Sequence, residues 1–164
     1  MSKISVIGGG SFGTVIADII ALNGHDVRFW MRSEELANEV NRSHENSQYL
    51  PGYPLDHLVV ATHDMAIAVG GSEVIFVAVP SASFRQVVKN MIEHAPAEVI
   101  LVSTTKGIES GTFDLMSQIL IEEAPAARVG VLSGPNLAKE IASKDLTGTV
   151  IASNHEEVRG RVKE

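Results

Sequence analysis

The sequence predicts an α/β fold in which a doubly wound, mainly parallel sheet carries helices on both faces. Three observations lead there. Short β-branched runs alternate strictly with amphipathic stretches along the chain, the pattern of a parallel sheet with crossover helices. Several runs, such as Val74-Ile75-Phe76-Val77, are continuously apolar, which suits strands covered on both sides. The elements are bounded by Gly, Pro, Ser or Asn, and no low-complexity linker or internal repeat separates them.

The first strand is expected at residues 4–7, and the first helix at 11–23. In that helix Phe12, Val15, Ile16, Ile19 and Ile20 recur at helical spacing, and Gly24 supplies the stop. A strand at 27–30 and a helix at 34–41 follow. Residues 43–56 are too many and too rich in turn formers for a simple connection, so they are expected to be the most mobile segment. Next come a strand at 58–61, a helix at 65–69, a strand at 74–78, a helix at 83–94 and a strand at 99–103. A helix at 113–123, a strand at 129–132, a helix at 137–142 and a strand at 149–152 complete the pattern. Asn154, with Glu157 three residues on, reads as a capping pair that opens another helix. The sequence stops at Glu164 after about two turns of it, so a continuation is expected.

Composition narrows the function classes. The chain has 164 residues, 45% hydrophobic and 20% charged, enough for the core of one ordinary domain. It has no cysteine, which removes disulfides, thiolate metal sites and cysteine nucleophiles. The net charge is −7 and the basic residues are scattered singly, so no footprint for a nucleic-acid backbone is expected. The longest apolar runs, such as residues 74–79, fall far short of the ~20 that a membrane helix needs, and Met1 leads straight into a strand. No membrane span and a cytoplasmic location are expected. No two of the six histidines are three or four residues apart, so no helical metal pair is expected. Asp64, Glu93 and Glu109 read as solvated charges, with no carboxylate pair set up for acid–base work.

The chemical signal is Gly8-Gly9-Gly10-Ser11-Phe12-Gly13, which stands between the first strand and the first helix. Elsewhere three glycines in a row would be only a flexible turn. At this junction they form the fingerprint of a Rossmann-type dinucleotide site. Gly8 allows the tight turn, Gly10 lets the backbone approach a pyrophosphate, and Gly13 lets the helix pack closely on the sheet. Free N–H groups at the helix start attract the negative charge.

The second strand runs out into Met31-Arg32-Ser33, with no acid where an NAD site usually places one for the ribose 2′-hydroxyl. A guanidinium beside a hydroxyl suits a 2′-phosphate, so NADP is favoured and NAD is the second choice. The plainer reading of Arg32 is a solvated charge at a strand end.

Lys106 follows the fifth strand, at the carboxyl edge where open α/β sheets bind ligands. An ammonium there meets the charge that develops on a ketone oxygen as hydride arrives; otherwise it is a surface lysine. Asn136 follows the sixth strand, and pattern alone prefers it as the N-cap of the next helix. Pro80 and Ser81, with Phe84 nearby, either turn the chain under a nicotinamide or simply start a helix.

Five segments occur in a recognisable order: Gly8 to Thr14, Tyr49-Leu50-Pro51-Gly52, Ala78-Val79-Pro80-Ser81, Thr105-Lys106-Gly107-Ile108-Glu109, and Ser133-Gly134-Pro135-Asn136-Leu137-Ala138-Lys139-Glu140. Together they resemble the N-terminal domain of bacterial NAD(P)-dependent glycerol-3-phosphate dehydrogenases. The resemblance implies interconversion of dihydroxyacetone phosphate and sn-glycerol 3-phosphate, a small phosphorylated three-carbon substrate, for phospholipid synthesis. It implies that Ser11, Phe12, Arg32, Lys106 and Ala138 touch the cofactor, and that Lys106, Gly134 and Asn136 touch the substrate. It also implies that residues 1–164 are the dinucleotide-binding domain, with the proton-transferring lysine in a helical substrate domain beyond Glu164. The fragment alone is expected to be inactive, and the full-length form to be a homodimer. Two other functions fit the same residues: another two-domain dehydrogenase, for a hydroxy acid, a ketopantoate-like compound or an acyl thioester, and a dinucleotide sensor without turnover.

Overall fold

The computed structural model describes residues 2–163. Strand β1 (Lys3–Ile7) lies inside the sheet, parallel to β2 (Asp26–Trp30) on one side and to β4 (Val74–Val77) on the other. Beyond β2 lies β3 (Val59–Thr62), and beyond β4 lie β5 (Ile100–Ser103), β6 (Arg128–Ser133) and β7 (Val150–Ala152). The order is β3-β2-β1-β4-β5-β6-β7, and among these described strands only the β6 to β7 pairing is antiparallel. The helix α6 (Ala138–Ala142) between those two strands spans about 7.5 Å at 1.5 Å per residue. β7 returns beside β6 in the opposite sense.

The period of two in the strands builds two cores. Ile4, Val6, Val74, Phe76, Ile100 and Val102 point to one face. Ile7, Ile75, Val77 and Leu101, one residue out of step, point to the other. On the first face lie α1 (Ser11–Leu22), α2 (Glu34–Ser43) and α7 (Glu156–Lys163), through Ile16, Ile20, Leu36, Val40 and Val158. On the second lie α3 (Met65–Val69), α4 (Phe84–Ile92) and α5 (Met116–Glu123). In α4 the buried residues Phe84, Val88 and Met91 follow helical spacing, and burial of each is worth ~1.5–3 kcal/mol. Phe84 is therefore a core residue and not a wall of the cleft described below.

Several expectations are corrected. The helix expected from Phe113 begins at Met116, because residues 108–115 fold back on themselves: Ile108 bridges Leu115, and Glu109 N–H donates to the Asp114 carbonyl at 2.9 Å. The last helix begins at Glu156, so Asn154 is not its cap. Ser153 Oγ accepts from His155 N–H at 3.1 Å, and Glu157 turns away to Arg128. Asp64 is not simply solvated, since its carboxylate caps α3 by accepting from Ile67 N–H at 3.0 Å. Residues 43–56 are pinned at many points: Asn46, Leu50 and Leu55 are buried, and Asp18 of α1 accepts from Asp56 N–H at 2.7 Å. Burial raises the Asp18 carboxyl above its ordinary value, while the Asp56 amide and the Tyr53 hydroxyl pull it back.

Candidate functional site

The chain leaves β1 for β2 on one side and reaches β4 on the other, so a crevice opens at their carboxyl ends. A cleft of about 730 Å³ occupies it, walled by Gly8, Gly10, Ser11 and Phe12 after β1 and by Ala78, Val79 and Pro80 after β4. The two turns nearly touch. A side chain at Gly8, whose φ is +127°, would collide with the Ala78 carbonyl.

The other glycines divide by task. A Cβ at Gly13 would strike the Gly8 carbonyl oxygen, so Gly13 lets α1 pack on the turn and does not itself face the cleft. A Cβ at Gly9 would stand 2.8 Å from that of Met31. At Gly10 no atom would lie within 4 Å, because that position faces open space. Gly10 is the cap residue of α1 and brings no side chain to its amides, and the first turn of α1 carries no acid. The N–H groups of Ser11 and Phe12 have no acceptor among the described residues, whereas Thr14 N–H is taken by the Gly10 carbonyl at 2.9 Å. Donors of this kind at a helix start carry a partial positive charge and can receive an anionic group.

The turn is buttressed by a residue that sequence reasoning missed. Asn46, fully buried, donates from Nδ2 to the Gly9 carbonyl at 3.0 Å and to Thr14 Oγ1 at 2.8 Å. Ser11 Oγ donates to the Tyr49 carbonyl at 2.6 Å, so the 43–56 segment forms one lip of the cleft. The only signal in the sequence was the length of that segment.

At the end of the cleft beside β2, Trp30, Met31, Arg32, Ser33 and Leu36 line it. Arg32 is exposed and has no ion-pair or hydrogen-bond partner among the described residues. The Ser33 hydroxyl is engaged: it accepts from Leu36 N–H at 3.1 Å as the cap of α2 and donates to Glu35 Oε2 at 2.8 Å. Glu35 is held below the ordinary carboxylate value by its own backbone N–H and by that hydroxyl.

On the opposite wall stand Thr104, Thr105, Lys106, Asn136, Leu137 and Ala138. Thr105 Oγ1 donates to the Val79 carbonyl at 2.7 Å, which joins the turn after β5 to the turn after β4. Lys106 is exposed and without a partner among the described residues. Asn136 is not a cap, since α6 begins at Ala138 with Leu137 in the cap position. It is 4% exposed, donates to Thr149 Oγ1 at 2.9 Å, and leaves its buried Oδ1 without a donor. Gly134 does not line the cleft. A Cβ there would strike the Gly148 carbonyl and crowd the Asn136 amide at 3.1 Å, so Gly134 lets these segments close.

Glu109, read as a solvated charge, is clamped instead. Arg85 donates from Nε and Nη2 to its two carboxylate oxygens, each at 2.7 Å, and the pairing holds its pKa at about 2.

The model for the family described as NAD-dependent glycerol-3-phosphate dehydrogenase N-terminus matches residues 3–159. The chain is similar to a glycerol-3-phosphate dehydrogenase [NAD(P)+] of Saccharophagus degradans, 52% identical over 94% of this chain and 43% of that protein. It is also similar to one of Ectopseudomonas mendocina, 49% identical over 100% of this chain and 48% of that protein. A crystal structure of glycerol-3-phosphate dehydrogenase from Coxiella burnetii superposes with a TM-score of 0.92 at 30% identity, over 98% of this chain and 49% of that one. The chain thus spans just under half the length of the relatives it matches.

Proposed function

We propose, since this chain belongs to the NAD-dependent glycerol-3-phosphate dehydrogenase family, that within its full-length protein it interconverts dihydroxyacetone phosphate and sn-glycerol 3-phosphate, for phospholipid synthesis. The observation that carries the proposal is the pair of amides at Ser11 and Phe12, without an acceptor among the described residues, in the wall of a cleft that Lys106 also lines. The residues fit a dinucleotide. Gly10 leaves the amides unobstructed, Gly8 and Gly13 bring turn and helix close, and Phe12, Arg32 and Ala138 line the same cleft. When bound, the nicotinamide supplies and accepts hydride.

The protein's own groups do the rest. The Ser11 and Phe12 amides hold the diphosphate and so fix the register of the cofactor along the cleft. Lys106 places a positive charge where oxygen charge grows as a ketone is reduced, and preorganised charge of this kind typically accounts for 10²–10³-fold in rate. Asn136 offers its orphaned carbonyl oxygen to a substrate hydroxyl, which satisfies a buried acceptor. Gly134 acts through Asn136 by letting that side chain seat. The general acid and the rest of the substrate pocket we assign to a helical domain in the remainder of the full-length protein, which also carries the contacts for a homodimer. We place the protein in the cytoplasm.

NADP is the favoured dinucleotide, because Arg32 is exposed, on the cleft and without a partner among the described residues. A second reading, NAD, draws on the Ser33 hydroxyl, which is already engaged, and on the carboxylate of Glu35 against it. The test is turnover of the full-length protein. Reduction of dihydroxyacetone phosphate by NADPH, with the unphosphorylated ketone ignored, is expected. Preference for an unphosphorylated keto acid would overturn the proposal in favour of another two-domain dehydrogenase, and dinucleotide binding without any turnover would favour a sensor.

A further inference from the structure

We propose that Arg85 and Glu109 are positioning residues for Lys106, holding the turn after β5 so that its ammonium stays at the wall of the cleft. The inference rests on the placing of Lys106 in the site proposed above.

Lys106 is the free point in a segment that is otherwise tied down on both sides. Upstream, Thr105 Oγ1 is bonded to the Val79 carbonyl at 2.7 Å and reaches that of Val77 at 3.3 Å. Downstream, Gly107 adopts φ +123°, and a Cβ there would stand 3.1 Å from Ser81 Oγ, so this bend lies directly against the turn after β4. Two residues later Glu109 receives the two-point grip of Arg85. Nothing in the segment 105–109 pairs with the Lys106 ammonium itself. The arrangement holds the backbone and leaves the charge free, as an electrostatic catalyst requires: preorganised position without a competing counter-ion.

Arg85 is suited to this task by its place. It is the second residue of α4, whose apolar face is locked into the core by Phe84, Val88 and Met91. Its fork also reaches Glu122 Oε2 at 2.8 Å, Glu123 Oε1 at 2.6 Å and Asp114 Oδ2 at 3.3 Å. Glu122 and Glu123 close α5, and Asp114 lies in the fold-back just before it. One guanidinium thus gathers the end of α5, the 108–115 fold-back and Glu109 onto a rigid helix. Four carboxylates share it, so its removal leaves mutual repulsion on the very segment that continues into Lys106. A planar fork with five donors can serve them; an ammonium cannot. A purely structural pair would be expected to tie α4 to α5 alone. The stronger, two-point contact here goes instead to the residue three positions from the cleft lysine.

The experiment uses the full-length protein with R85A, R85K, E109Q and K106A substitutions, each checked by thermal melting. Misplacement by about 1 Å can cost roughly a hundredfold in rate. The expected result is a fall in kcat of about a hundredfold for R85A and about tenfold for E109Q and R85K. The Kd for NADPH should change far less than kcat, because the Ser11, Phe12 and Arg32 contacts are untouched and Lys106 is only one of the cofactor's contacts. Cleavage after Lys106 by a lysine-specific protease should become faster in the same order. E109Q keeps the shape of the contact and one hydrogen bond, so it remains informative if R85A fails to fold. If K106A abolishes turnover while folded E109Q and R85K keep the wild-type kcat and cleavage rate, the positioning role is overturned and the reading of Lys106 stands. If K106A itself keeps wild-type turnover, both are overturned.

Discussion

Asn46 gives both hydrogens of its amide to the Gly-rich turn, reaching the Gly9 carbonyl at 3.0 Å and Thr14 Oγ1 at 2.8 Å, although 37 residues separate Asn46 from Gly9. The two bonds tie the Gly-rich turn to the 43–56 segment. Asn46→Ala is expected to destabilise the protein by about 1–3 kcal/mol, the cost of leaving a buried acceptor unpaired. Dinucleotide affinity should fall as well. Chemical denaturation and a cofactor titration check both; a change under about 0.5 kcal/mol would show that the contact holds nothing in place.

Gly10 and Gly13 should fail in opposite ways. Gly13→Ala drives a Cβ into the Gly8 carbonyl and is expected to cost about 3 kcal/mol, since backbone must shift. Gly10→Ala meets no atom within 4 Å and has an ordinary φ of −78°, so stability should hardly change. Its methyl group projects where the diphosphate is proposed to lie, so affinity should drop at least tenfold. Thermal melts and titrations on both variants separate the two effects.

Arg32→Ala is expected to weaken NADPH binding by about ten- to a hundredfold, as loss of a charge-assisted bond of roughly 1.5–3 kcal/mol requires, and to leave NADH almost unaffected. Glu35→Gln removes a negative charge next to Ser33 and should strengthen NADPH binding a few-fold at low salt, with the gain fading as salt is added. Isothermal titration with the two cofactors decides; equal effects on both would remove Arg32 from the phosphate site.

Glu109 carries a pH signature. Its folded pKa, about 2, lies below the ordinary value of 4.5, so the folded state favours the ionised form. The stabilisation is therefore complete above the ordinary value and is lost as pH falls from about 4.5 through about 2. Unfolding free energy measured across this window should decline, and E109Q should flatten the decline. An identical acid limb in the variant would show that other carboxylates set it.

The element pattern was legible because its causes are local. Continuous apolar strands, helical spacing in α1 and the glycines at the β1 to α1 junction depend on neighbours within a few positions. The boundaries that slipped did so where distant contacts intervened. Residues 108–115 fold back because Glu109 answers Arg85 and Asp114, not because Phe113 lacks helical partners. Asn136 had the sequence of a cap, yet it turns inward to Thr149 and leaves Leu137 at the cap position.

The sequence by itself determined the order of strands and helices, the double winding and the place of the crevice, since alternation and turn chemistry act over short spans of chain. Tertiary structure alone decided which glycine faces the cleft and which one packs, that Asn46 braces the Gly-rich turn, and that Arg85 grips Glu109. The Asn46 and Arg85 contacts are hydrogen bonds between residues 24 to 37 positions apart, and such pairings have no signature until the sheet brings the partners together.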